Sequence, residues 1–126
     1  MLLFAFWADR CFRFLHGAEY FVLTHCRING SIGSGFGISR NARPRLISNE
    51  IWGNGMAGVI VEQGGDPFLS GNTIRDHAGV NGRGVFVHHT SHGLATILPD
   101  NIFLRNGGGD VMRLPAPAPA PVVNGA

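Results

Sequence analysis

Apolar positions along this chain come in runs too short for helices. Apolar–any–apolar triplets recur, as FRF at Phe12–Phe14, VIV at Val59–Val61 and VFV at Val85–Val87. Gly, Asn and Pro separate them, and no stretch sustains an apolar period of three or four. Period two bounded by turn formers predicts short β-strands with one inward and one outward face.

The strands recur in a fixed order. One landmark, a Gly or Asp before an apolar residue, reads Gly37-Ile38, Gly58-Val59, Gly84-Val85 and Asp110-Val111, at spacings of 21, 26 and 26 residues. A second, apolar-x-x-Asn-x-apolar, reads LISNEI (Leu46–Ile51), LSGNTI (Leu69–Ile74) and LPDNIF (Leu98–Phe103). LTHCRI (Leu23–Ile28) fits with Cys26 in the Asn slot. Two landmarks alternating along the chain mark an internal repeat. The leucine-rich consensus and helical periodicity are both absent. Three short strands per coil, stacked coil on coil, remain as the solution. The predicted inward columns are Ile38, Val59, Val85 and Val111; Leu23, Leu46, Leu69 and Leu98; and Ile28, Ile51, Ile74 and Phe103. The predicted outward columns are Ser39, Ile60 and Phe86, and beside it Asn41, Glu62 and His88.

The segment GNGMAGVIVEQGGDPFLSGNTIRDH, Gly53–His77, resembles the right-handed parallel β-helix repeats of the carbohydrate-binding and sugar-hydrolase type. Among these it is most similar to the repeats of β-helical F-box proteins. G-V-x-V, the following turn with D-P or G-L, and N-x-I carry the likeness, over roughly residues 20 to 112. The resemblance implies an all-β solenoid of about four right-handed coils, a handedness that parallel crossovers also favour. It implies either a polysaccharide-active enzyme or a binding module, because the same coil serves both. No F-box segment stands in these residues, so any link to a ubiquitin ligase rests on residues outside them.

Composition sharpens this picture. Nineteen of 126 residues are Gly, about twice the ordinary share, as a turn-dense chain requires. A net charge of +2, with every basic residue an Arg, does not argue for nucleic acid. Cys11 and Cys26 are too few for a disulfide framework and read as reduced thiols of an intracellular protein. Residues 1–11 carry an apolar run, Met1 to Ala8, that Asp9 and Arg10 end too soon for it to cross a membrane, and read as a cap over the domain or a truncated edge. Residues 12–113 hold the repeats, and residues 114–126 form a Pro/Ala-rich tail expected to be disordered. A short stack has two open ends, which predicts end-to-end self-association unless they are capped.

The candidate chemistry is sparse. Asn49, Asn72 and Asn101 share one turn position and read as a stacked amide ladder, with Cys26 closing it. Gly37, Gly58 and Gly84 read as turn glycines rather than a phosphate cradle, since no helix follows them. Paired carboxylates, which glycoside hydrolysis needs, are missing from the outward columns. Glu62 and His88 fall on adjacent coils and read as a surface ion pair. With Ile60 and Phe86 they form the expected binding face, for a protein segment or a glycan. The competing enzymatic reading takes Glu62 and His88 as acid and base and Arg40, in SRNARPR, as a charge clamp. The cluster GVFVHHTSHG carries His88, His89 and His92, whose spacing does not suit a metal site at a strand end. No cofactor is expected.

Overall fold

The computed structural model describes residues 21–92 and 94–115. The apolar N-terminus, Phe12–Phe14 and Cys11 lie outside the described residues, as does the Pro/Ala run beyond Pro115. Among the described residues the chain forms short strands in three parallel sheets. The first sheet holds β1 (Val22–Thr24), β4 (Arg45–Ile47), β7 (Phe68–Ser70) and β10 (Thr96–Ile97). The second holds β2 (Arg27–Asn29), β5 (Glu50–Trp52), β8 (Thr73–Arg75) and β11 (Ile102–Leu104). The third holds β3 (Phe36–Ile38), β6 (Val59–Val61), β9 (Val85–Val87) and β12 (Val111–Arg113). Each strand pairs with the one three places later, so the chain winds through all three sheets before returning one level up. That is a parallel β-helix of about four coils. No helix among the described residues is long and apolar enough to cross a membrane.

The core is the set of inward residues. Ile28, Ile51 and Ile74 stack in register in the second sheet, with Phe103 above them. Leu46, Leu69, Ile51, Ile74, Val59, Val61, Val85 and Val87 are all fully buried. Removing each such side chain from water is worth about 1.5–3 kcal/mol.

Two columns differ from the sequence expectation. In the third sheet Phe36 pairs with Val59 and Ile38 with Val61. Gly35, not Gly37, is therefore level with Gly58 and Gly84, and Gly37 belongs to the outward column of Ile60 and Phe86. Ser39 moves level with Glu62, and Asn41 moves on into the corner. GFGI offers two glycines two residues apart, Gly35 and Gly37, so the pattern alone admits either register. In the first sheet Ile97, not Leu98, pairs with Leu69, because the turn before Asn101 is one residue longer than the turn before Asn72.

The column glycines also serve a different purpose from the one expected. Gly58 is buried, and a Cβ there would meet the Gly84 carbonyl oxygen at 2.8 Å and the Ile74 side chain at 2.8 Å. At Gly84 a Cβ would meet the Asp110 carbonyl oxygen at 2.5 Å. These glycines allow coils to approach closely rather than supplying a positive φ.

Candidate functional site

Each corner flanking the second sheet is built from a left-handed residue followed by a ladder residue. At the first corner the left-handed residues are His25, Ser48 and Gly71, at φ 55°, 56° and 66°. Cys26, Asn49 and Asn72 follow them, and Asn101 takes the same place in the last coil. The Asn49 N–H and side-chain amide donate to Asn72 Oδ1 at 2.9 and 3.0 Å. Asn72 repeats the pattern onto Asn101, and the Cys26 N–H donates to Asn49 Oδ1. Each amide also donates to the carbonyl of the preceding coil, Leu23, Leu46 and Leu69 in turn. These asparagines therefore hold coils together, each amide bonded to a neighbouring coil.

The other corner carries a second ladder that the sequence reading missed. Gly30, Gly53, Asp76 and Arg105 are left-handed, and Ser31, Asn54, His77 and Asn106 follow them. The Ser31 N–H donates to Asn54 Oδ1 at 3.1 Å. Asn54 Nδ2 lies 3.1 Å from His77 Nε2, and His77 Nδ1 lies 2.8 Å from Asn106 Oδ1. Asn106 Nδ2 donates to the Ile74 carbonyl. With Asn54 and Asn106 oriented by their outer partners, His77 must accept at Nε2 and donate from Nδ1. The ring is buried, and desolvation pushes its pKa down. The signal lay in the spacing: each member stands five residues after a member of the first ladder.

The outer face of the third sheet is where the expected site residues meet. Ile60 and Phe86 pair in register, and Met112 continues their column. All three point outward and are partly exposed, so the stripe is longer than the sequence reading placed it. The Arg83 guanidinium lies over the Phe86 ring, 5.0 Å from its centroid. Glu62 and His88 stand level one position further on, since each follows a residue of the Val61–Val87 pair. No hydrogen bond or ion pair joins them among the described residues. The His88 ring is held from its own turn instead: its Nδ1 sits 2.9 Å from Thr90 Oγ1 and accepts from the Thr90 N–H. Thr90 Oγ1 in turn accepts from the Gln63 N–H. His89 stacks on His88 with ring centroids 4.1 Å apart. Arg40 lies past Ser39 at an exposed left-handed corner, φ 51°, one position beyond the level of Glu62 and His88.

The outer face of the second sheet holds the charge. Arg75 binds both Glu50 and Asp76, and Arg105 binds Asp76 from the next coil at 2.6 Å. Arg105 and Arg75 hold the Asp76 carboxyl far below the usual carboxylate range. Two carboxylates are thus brought together, which the third-sheet columns did not reveal. Both are committed to the Arg75 guanidinium. The Trp52 ring has Arg27 at 4.9 Å and Arg75 at 5.2 Å from its centroid. Among the described residues no three of His, Cys, Asp and Glu converge as a metal would require.

The family described as "Right handed beta helix region" matches residues 12–113, most of the chain. The chain belongs to the right-handed β-helix family. No curated protein and no solved structure matches it. The family membership carries the fold and its handedness. It leaves open whether a given β-helix binds or catalyses, and that question returns to the residues.

Proposed function

We propose that this β-helix is a non-catalytic binding module, and that its contact surface is the outer face of the third sheet. The observation that carries this reading is the outward stripe Ile60–Phe86–Met112, three large apolar side chains at successive levels of a rigid sheet. Glu62, His88 and Arg83 supply a polar border. Two aliphatic side chains beside one aromatic ring favour a protein segment over a glycan, because sugars stack on open ring faces. Arg83 covers Phe86 on one side, and Trp52 has guanidinium groups against it.

A role as the recognition part of a ubiquitin-ligase adaptor is a finer form of this reading. It rests on the similarity of the Gly53–His77 repeat to F-box proteins. A carbohydrate-active domain is the competing reading. It is weakened because Glu62 and His88 do not engage each other and because Glu50 and Asp76 are neutralised by arginines.

Peptides selected from a displayed random library on the immobilised chain provide the test. Phe86→Ala is expected to weaken the selected peptides by about 30-fold, the effect of removing an interfacial aromatic anchor worth about 2 kcal/mol. Equal binding by wild type, Phe86→Ala and Ile60→Ala would remove this face from consideration. Turnover of a uronate polymer that disappears in Glu62→Gln and His88→Ala would establish the enzyme instead.

A further inference from the structure

All three sheets end on the same coil. Among the described residues, strands β10, β11 and β12 each pair on one side only, to β7, β8 and β9. Unpaired strand edges around an apolar cross-section are a template for another coil. Val111 shows the opening directly: it continues the column of Val59 and Val85, both fully buried, yet is 40% exposed. A single peptide strand could satisfy one of the three edges, whereas a coil of the same triangular section could satisfy all three. The partner this end fits by shape is therefore a second copy of the chain.

One residue opposes that fit. The inward column Ile38, Val61, Val87 is fully buried at every level, and its next member in register is Arg113. An Arg thus stands in a core position of the last coil. Its Nη2 donates to the Ala95 carbonyl at 2.9 Å, at the turn leading into β10. The side chain reaches from the third sheet toward the first, over the top of the coil below. Stacking a further coil there would enclose the guanidinium in an apolar interior, which is costly for a charge. Inward-pointing charges on edge strands are a known means of preventing edge-to-edge association.

We propose that Arg113 is an end guard: it closes the C-terminal end of the solenoid and blocks stacking of a second copy on β10–β12. This inference is independent of the function proposed for the third-sheet face. Its test is sedimentation velocity and hydrogen exchange of the full chain over a concentration series, comparing wild type, Arg113→Val, Arg113→Met and Arg113→Lys. Wild type and Arg113→Lys are expected to keep the β10–β12 edge amides unprotected at every concentration. Arg113→Val is expected to double its weight-average mass as concentration rises, with exchange at those amides slowed at least tenfold. Arg113→Met retains the length of the aliphatic stem and should do the same, so the test stands if the Val variant misfolds. Folded Val and Met variants with wild-type mass and exchange at all concentrations would overturn the proposal. So would edge protection in the wild type, whether it grows with concentration or is constant.

Discussion

At the scale of the residue, the fold depends on polar atoms in the interior finding partners one coil away. Asn72 is fully buried, and its amide receives and donates hydrogen bonds on both neighbouring levels. This role was legible in the sequence, because an Asn repeating at one position between apolar residues has few other uses. His77 was not legible, because its column reads Ser, Asn, His, Asn and shows no single residue type. Its consequence is a pH dependence. Burial lowers the pKa of His77 from 6.5, and the nearby Asp76, itself gripped by Arg75 and Arg105, opposes this only in part. The unfolded chain therefore takes up the proton more readily than the folded one, and acid favours unfolding. The contribution of His77 is complete above about pH 6.5 and is lost as pH falls through its lower folded value. Thermal melts of wild type should shift to lower temperature as pH drops from about 7.5 to about 5.5, a range set by the ordinary His pKa. The melting temperature of His77→Asn should change much less, because Asn already fills this slot in the coils below and above. A wild-type curve parallel to that of His77→Asn would show that protonation of this ring does not reach the fold.

At the scale of the element, each strand is three residues or fewer and cannot stand alone. Strand existence was readable from the period-two runs. Register was less so: FGI carries apolar residues two apart, and a shift of two leaves the inward–outward alternation unchanged. Only the chain's return through the other sheets, where Leu46 and Ile51 have unambiguous partners, decides between the two. The outer face of the second sheet adds a brace that sequence columns of charge could not show. Trp52 has Arg27 and Arg75 close to its ring, and Arg75 also binds Glu50 and Asp76. Each exposed cation–π contact is worth about 0.5–1 kcal/mol. Trp52→Ala should therefore cost about 1–2 kcal/mol in urea denaturation while leaving peptide binding at the third-sheet face unchanged. Loss of that binding in a folded Trp52→Ala chain would move the functional face to the second sheet.

At the scale of the molecule, a solenoid distributes stability along its axis, since each coil touches only its neighbours. The repeat itself was the most legible feature of the sequence, because two landmarks had to agree at every coil. The proposed contact face was half legible: Ile60 and Phe86 followed from alternation, and Met112 follows from the level of Val111 just before it, although the outward column was read only as far as Phe86. The pairing of coil on coil predicts how the molecule opens. The strands β5, β6, β7 and β8 have a paired strand on both sides, and their inward residues Ile51, Val61, Leu69 and Ile74 are fully buried. By contrast β12 has three exposed residues and β10 only two paired ones. Opening β10–β12 exposes an end that is already partly wet, whereas opening β6 breaks ladders on two faces at once. Native-state hydrogen exchange should therefore be slowest in β5–β8 and fastest in β10 and β12, with β9 and β11 between them. Uniform protection across all coils would mean that the chain opens only as a whole, and that the coil-to-coil ladders couple far more strongly than the side chains at the C-terminal end indicate.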